Sequence, residues 1–167
     1  MKNLVKFQAT KCLVLFLFAF VAYTTAEAED TMPKLIRSLA DLFSISTDAA
    51  SSCVHSTMAT IEDMRLFEDS LAEKVDTFGG ISIRKASCTL ACCAQAQGTM
   101  SGSKLQLEVI NNVIQNARGR DVDAQIKLMY ITFVKQCENE VKNITDRCDV
   151  VMHFIRCMSD KVRETDF

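Results

Sequence analysis

The sequence predicts an all-α protein, a compact bundle of six helices. Three observations lead to this prediction. The 167-residue chain contains only one proline and five glycines, so few residues in it interrupt a helix. Apolar residues recur at intervals of three and four over most of the chain, which places them on one face of a helix. No segment alternates apolar and polar residues in the way a half-buried strand does.

The first two predicted helices lie before a pair of glycines. Pro33 suits the first turn of the first helix, because its ring fixes a helical φ angle. We expect Gly79 and Gly80 to end the second helix. The apolar stripes of the two helices are Leu35, Leu39, Leu42 and Phe43, and then Ile61, Met64, Leu66, Phe67, Leu71 and Val75.

The third predicted helix runs from about Ile83 to Gln97 and contains the cysteine-rich segment "CTLACC". Gly98 and Gly102 follow it and are expected to end it. Ser103 is a candidate cap for the fourth helix, since a serine hydroxyl accepts a hydrogen bond from a first-turn N–H. The fourth stripe, before a stop at Gly119, is Leu107, Ile110, Val113, Ile114 and Ala117.

The last two predicted helices fill the C-terminal third of the chain. Asp121 or Asp123 is expected to cap the fifth helix, and Thr145 or Asp146 to begin the sixth. The stripe of the fifth helix is Ile126, Met129, Tyr130, Phe133, Val134 and Cys137. The stripe of the sixth is Cys148, Val151, Met152 and Ile155.

Residues 1–28 have the composition of a cleaved secretory signal. The apolar run from Cys12 to Ala22 follows three lysines and precedes an Ala26-x-Ala28 site. A short membrane anchor is the alternative, but the run is shorter than the roughly 20 apolar residues that span a bilayer. We therefore expect a secreted, extracellular protein with a single domain at 29–167.

The charges and motifs of the chain exclude several functions. The net charge is −2 at pH 7, and no basic run or basic-aromatic pattern occurs, so nucleic acids and anionic membranes are poor partners. The chain contains no Gly-x-Ser-x-Gly elbow, no His-Glu-x-x-His motif and no phosphate loop. Its two histidines leave little scope for acid–base catalysis. The sequence predicts neither an enzyme nor a cofactor.

Seven of the eight cysteines follow the signal, and in a secreted chain they indicate a disulfide framework with one thiol left over. Six paired cysteines allow 15 connectivities. Cys88 and Cys92 are four apart and share one helix face, whereas Cys93 is rotated away. Cys148 and Cys157 are about half a turn out of phase, so they point to opposite sides of the last helix. We assign Cys93 as the free thiol.

A metal site fits these cysteines less well. Structural zinc sites combine close cysteine pairs with a second pair or with histidines, and only His55 and His153 occur in the chain. A Cys-x-x-Cys redox motif is absent. No metal is therefore expected.

The spacing of six cysteines resembles that of the insect odorant-binding proteins, the family of pheromone-binding and general odorant-binding proteins. Its most specific parts are "CTLAC" and "CDVVMHFIRC", with three and eight residues between the cysteines. The first and third intervals, of 34 and 44 residues, are longer than usual, and Cys93 is extra. The resemblance implies interlocked disulfides between Cys53 and Cys92, Cys88 and Cys148, and Cys137 and Cys157.

The resemblance also implies a function. The helices would enclose an apolar cavity that carries a small hydrophobic ligand, such as an odorant or pheromone, through aqueous fluid to a chemosensory receptor. Tyr130 is a candidate polar group that orients the ligand. The other candidate wall residues come from the inward stripes and the C-terminus, and are Leu107, Ile110, Ile114, Met129, Phe133, Val134, Met152, Ile155 and Phe167.

Three further features concern release and modification. The ten residues after Cys157 are expected to form a short lid, with Val162 and Phe167 over an opening. His153 is a candidate pH switch, because the pKa of histidine is ordinarily near 6.5. Asn143 begins an Asn-Ile-Thr glycosylation sequon. A monomer or a weak homodimer is compatible with all of these features.

The sequence leaves one alternative function open. A secreted helical protein of saliva, seminal fluid or another non-olfactory tissue would act on a different ligand or on a protein partner. Such a protein would need no cavity, so uptake of a small hydrophobic probe distinguishes the two hypotheses.

Overall fold

A computed structural model of the protein describes residues 32–72, 80–116 and 124–165. The described residues form helices joined by short turns, together with one small ribbon of two strands. Several predictions lie outside them, namely the signal peptide at 1–28, the boundary residues Gly79, Gly119, Asp121 and Asp123, the stripe residues Val75 and Ala117, and Phe167.

The all-α class is confirmed. The helices are α1 (Met32–Phe43), α2 (Thr47–Thr57), α3 (Ile61–Ala72), α4 (Ile81–Gln97), α5 (Leu107–Asn116), α6 (Ala124–Val141) and α7 (Arg147–Glu164). Between α4 and α5, strands β1 (Met100–Ser101) and β2 (Lys104–Leu105) pair antiparallel.

The described residues contain one helix more than the six predicted, because α2 carries no apolar stripe. Its sequence, TDAASSCVHST, consists mostly of small and polar residues. Ser46 begins the helix, and its hydroxyl accepts a hydrogen bond from the Ala49 N–H at 3.1 Å. Ala50, Cys53 and Val54 are buried on one side. The helix is therefore specified by a cap and by tertiary packing, and periodicity alone misses it.

Side-chain caps fix other helix ends. Thr60 and Asp63 form a reciprocal pair before α3, in which the Asp63 carboxylate accepts from the Thr60 N–H at 2.8 Å and the Asp63 N–H donates to the Thr60 hydroxyl at 3.2 Å. Asp146 caps α7, where its carboxylate accepts from the N–H groups of Cys148 and Asp149 at 2.9 and 3.0 Å. Of the two predicted starts of this helix, Asp146 is thus the cap.

The prediction that Ser103 caps the following helix is wrong. Ser103 lies in the turn between β1 and β2, and α5 begins only at Leu107. Gly102 adopts a φ of +59° in this turn, a left-handed conformation that glycine adopts without strain. The Gln106 N–H donates to the Thr99 carbonyl at 2.8 Å and closes the ribbon at its base. The ribbon was missed because each strand is only two residues long.

Helix α4 lies at the centre of the fold and packs against α1, α2, α3 and α7. Most of its buried side chains are small, which lets neighbouring helices approach closely. They are Ile83, Ala86, Ser87, Thr89, Leu90, Ala91, Cys93 and Ala94. The Thr89 hydroxyl shares a hydrogen bond with the Thr57 hydroxyl at 2.5 Å, which satisfies a polar group at the α2–α4 contact.

Three disulfides tie the helices together, and they are Cys53–Cys92, Cys88–Cys148 and Cys137–Cys157. The structure thus contains the same three pairs that the cysteine spacing implies. They join α2 to α4, α4 to α7 and α6 to α7, so α4 and α7 each carry two bridges. In the chain-entropy model, each closure contributes at most roughly 3 to 4 kcal/mol to the free energy of unfolding.

The N-terminal ends of α4 and α7 are also joined by charge. The Arg84 guanidinium donates to Asp146 at 2.9 Å and to Asp149 at 2.8 Å. All three side chains are 40 to 54% exposed, so water screens these ion pairs and their contribution is small. Their role is to fix the orientation of the two helix ends beside the Cys88–Cys148 bridge.

Candidate functional site

The buried apolar residues separate into two clusters. The larger, which we call the first cluster, lies around α4 and includes buried residues of α1, α2, α3 and α7, such as Leu39 and Val150. The smaller, which we call the second cluster, lies between α6 and α7 and contains Tyr130, Phe133, Val134, Cys137, Cys157 and Met158. Among the described residues, the apolar side chains of α5 that pack on a cluster are Leu107, Ile110 and Ile114, and they pack on the second cluster. The candidate site is the region that α5, α6 and α7 form together.

Seven of the ten predicted wall residues meet in the second cluster. Tyr130, Phe133 and Val134 belong to its buried part, whereas the other four pack against it while half-buried. Those four are Leu107, Ile110, Ile114 and Met129. Met152 and Ile155 lie elsewhere, in and against the first cluster, so they do not join the other seven. Phe167 lies outside the described residues.

Met152 and Ile155 differ from the other seven because α7 presents opposite faces to the two clusters. Val151, Met152 and Ile155 share the face of Cys148, which points to α4. Cys157 points to α6, and the adjacent Met158 belongs to the second cluster with it. The half-turn offset between Cys148 and Cys157 already predicted two opposite faces, but helix phase alone does not assign Met158, which lies about 80° from Cys148 and about 100° from Cys157.

Phe154 packs against both clusters. It lies three residues before Cys157 on α7 and is only partly buried. Within the described residues it thus lies at the boundary between the first cluster and the second cluster. Ile126 and Val162 pack on the second cluster as well. Phe154 and Ile126 were not predicted as wall residues; Ile126 had a signal in the stripe of its helix, and Phe154 had one in its position three residues before Cys157, which places the two on the same face of α7.

Helix α5 has an unusual pattern of burial. It carries a clear apolar stripe, yet none of its residues is fully buried. Each apolar side chain of α5 keeps part of its surface accessible to water, and these side chains are Leu107, Val109, Ile110, Val113 and Ile114. An amphipathic helix that packed tightly on its neighbours would bury such a stripe. The α5 stripe therefore keeps apolar surface that the described residues do not fully cover.

Contacts at the C-terminal end of α5 hold it beside α6. The Lys127 ammonium donates to the Gln115 carbonyl at 2.7 Å, where the last carbonyls of a helix attract a cation. In α6, the rings of Tyr130 and Phe133 meet edge to face, with centroids 6.3 Å apart. Tyr130 is only 4% exposed, so it lies within the apolar wall instead of at the surface.

Two groups near the core have raised pKa values. Burial raises the pKa of the Cys93 thiol to about 11, so this thiol stays protonated at neutral pH. On α3, burial raises the pKa of the Glu68 carboxyl to about 7, an effect that neighbouring Asp69 strengthens and Arg65 opposes. Glu68 is half-buried beside the apolar face of α3, and Cys93 is fully buried in α4.

The remaining predicted residues lie at the surface or the edge of the site. His153 is exposed on α7, and Asn143 is exposed in the turn between α6 and α7. Val162 is half-buried near the end of α7 and packs against the second cluster. None of the described helices is both long enough and apolar enough to cross a membrane.

Comparison with known proteins identifies the fold. A model of the PBP/GOBP family matches residues 46–161, from the cap of α2 to the last turn of α7. The matched segment contains all three disulfides, α5 and the second cluster. No curated protein and no solved structure matches the chain. Since the family model covers more than half of the sequence, the chain belongs to the PBP/GOBP family, the insect pheromone-binding and general odorant-binding proteins.

Proposed function

We propose that this protein is a secreted carrier that holds one small hydrophobic ligand between α5, α6 and α7, and moves it through aqueous fluid to a chemosensory receptor. Members of its family are binding proteins and not enzymes. The observation that carries the proposal is the half-buried stripe of α5, which packs against the second cluster and still keeps part of its apolar surface uncovered by the described residues. An apolar ligand placed there would complete the packing of both.

The lining of the site suits such a ligand. Aliphatic side chains of α5 and the aromatic rings of Tyr130 and Phe133 offer an apolar wall, and Met129 adds a side chain that adapts to different shapes. Removing about 300 Å² of apolar ligand surface and a similar area of the apolar wall from water contributes roughly 15 kcal/mol before the losses of translational and rotational freedom, which cost about 4 kcal/mol or more. A micromolar dissociation constant is the affinity that this magnitude supports.

The disulfides support the carrier role through stability. A fold that leaves space in its interior gives up packing energy, at about 24 cal/mol for each Å³ left empty. Three interlocked bridges compensate for this loss by restricting the unfolded chain. They require an oxidising compartment, which agrees with the proposed signal peptide at 1–28 and with export of the domain at 29–167.

Release of the ligand belongs to the same proposal. Val162 packs on the second cluster near the end of the chain, where the last residues act as a short lid. His153 lies one residue before Phe154, which spans the two clusters, so a change of charge at His153 would act on the edge of the site. Comparing ligand affinity at pH 7 and pH 5 in wild type and His153→Ala tests this switch, and identical pH responses would refute it.

Probe uptake tests the carrier proposal directly. The mature, disulfide-bonded protein is titrated with N-phenyl-1-naphthylamine, whose fluorescence rises in an apolar environment, and the bound probe is then displaced with aliphatic volatiles. We expect saturable uptake by monomer with a micromolar dissociation constant. If folded monomer takes up no probe, the protein acts through its surface, as a non-olfactory binding protein with a macromolecular partner would.

A further inference from the structure

Helix α5 contains one polar atom that the described structure leaves unsatisfied. The Oδ1 atom of Asn111 is shut off from solvent and has no hydrogen-bond partner among the described residues. A buried acceptor without a donor costs roughly 1 to 3 kcal/mol, so such atoms are uncommon in folded proteins. The position of this atom points to a role in binding.

Asn111 borders the apolar stripe that faces the second cluster. It lies four residues after Leu107 and three before Ile114, and residues at these intervals occupy the same side of a helix. Asn112 lies one position further around the helix and is exposed. The amide of Asn111 is therefore the polar group that α5 places beside its ligand-facing side chains.

We infer that Asn111 makes the site selective for ligands that carry a hydroxyl group, such as aliphatic alcohols, over esters of the same length. The inference rests on the proposed function and specifies its ligand class. The unsatisfied atom is an acceptor, and an alcohol supplies the donor that it lacks. An acetate ester carries only acceptors and leaves Oδ1 unpaired.

The amide can reach a ligand without moving the helix. Asn111 as a residue keeps part of its surface accessible, although its Oδ1 atom is enclosed. Rotation about the Cβ–Cγ bond of asparagine has a broad energy profile, so the proposal requires the amide to turn its carbonyl from the enclosed side to the accessible side of the residue when the ligand enters. A hydroxyl in the site then forms a hydrogen bond that is absent from the free protein.

Paired ligands of equal chain length test the inference. We measure probe displacement by 1-decanol and by octyl acetate, whose main chains contain the same number of heavy atoms. The proteins compared are wild type, Asn111→Leu and the control Asn112→Leu. We expect wild type and the control to bind the alcohol about tenfold more tightly than the ester, the factor for one neutral hydrogen bond of ordinary strength. Asn111→Leu should bind both ligands about equally. Asn111→Ala repeats the comparison in case leucine disturbs the helix.

The possible results separate the two proposals. Probe uptake by wild type without a preference for the alcohol overturns the role of Asn111 and leaves the carrier function standing. A preference for the alcohol that persists in both Asn111→Leu and Asn111→Ala also overturns the role of Asn111. If wild type binds no probe at all, the carrier function itself fails, and the selectivity fails with it. Because the readout is a ratio of two affinities, a general change in the size of the site does not imitate the expected result.

Discussion

Cys92 and Cys93 are adjacent on α4 but differ in bonding, because Cys92 forms a disulfide with Cys53 whereas Cys93 is a fully buried free thiol. Successive residues of a helix are rotated by about 100°, so only one of the two can face α2. The other fills a place in the first cluster as a small apolar side chain.

The first prediction concerns the reactivity of Cys93. Burial raises the pKa of its thiol to about 11, so at pH 8 the thiol is protonated and a reagent in solution cannot reach it. We expect iodoacetamide to leave Cys93 unmodified in native protein and to alkylate it in denaturant without reductant. Peptide mapping by mass spectrometry detects both states and shows the three disulfides in the same experiment. Rapid alkylation of native protein would contradict the buried position.

The second prediction separates stability from binding. Leu39 is fully buried in the first cluster, and Leu39→Ala should lower the free energy of unfolding by about 3 kcal/mol while probe affinity stays near that of wild type. Ile114 is only half-buried on α5, so Ile114→Ala should cost less than about 1 kcal/mol but weaken probe binding severalfold. Chemical denaturation and probe titration measure the two effects. Equal loss of binding in both variants would place the ligand elsewhere.

The third prediction concerns the carboxyl of Glu68. Burial raises its pKa to about 7, above the ordinary value of 4.5, so the folded protein holds this proton more tightly than the unfolded chain does. The free energy of unfolding should therefore fall as the pH rises from about 4.5 through 7. Glu68→Gln removes this pH-dependent loss of stability. At pH 8 its free energy of unfolding should exceed that of wild type by only on the order of 1 kcal/mol, because water screens the partly exposed carboxyl.

Thermal unfolding at pH 5 and pH 8 measures the effect of Glu68→Gln. The Tm difference between variant and wild type should be larger at pH 8 than at pH 5. The exposed Glu140 on α6 provides the control, since Glu140→Gln changes the same charge without burial. An equal Tm shift in the two variants at both pH values would show that burial of Glu68 has no effect on stability.

The fourth prediction separates the two roles of Asp146. The backbone N–H of Asp149 and the Arg84 guanidinium lower the pKa of this carboxyl, so its contribution is complete above about pH 4 and is lost as the pH falls further. Asp146→Ala removes the cap of α7 and should cost about 1 kcal/mol at pH 7. Asp146→Asn keeps a capping side chain and loses only the screened ion pair, so its Tm should lie close to that of wild type. Equal losses in both variants would show that charge matters more than capping.

Periodicity predicted those helices whose burial follows one continuous stripe. It failed for α2, whose sequence of small residues acquires its helical form from the Ser46 cap and from packing around Cys53. Of the candidate wall, the residues of α5 and α6 lie together in or against the second cluster, since each helix has a single apolar face. Helix α7 has two apolar faces. The stripe predicted from the sequence, through Met152 and Ile155, lies on the face toward α4 and the first cluster.

Asn111 shows a different limit of sequence reasoning. An asparagine beside an apolar stripe is common on solvent-exposed helices, and only the atomic surroundings show that its carbonyl is enclosed and unpaired. The same holds for Glu68, whose sequence neighbours Asp69 and Arg65 give no indication that the carboxyl is partly buried. Burial of single polar atoms depends on several helices at once, which a stripe on one helix does not reveal.

The lack of a fully buried residue in α5 has a consequence for how such proteins diversify. The disulfides and the first cluster lie outside this helix, so most substitutions on it leave the folding threshold untouched. A duplicated gene could therefore accumulate changes on α5 and alter its chemical preference while every copy still folds. Directed evolution toward new volatiles would best begin with a library restricted to these ten positions, Leu107–Asn116.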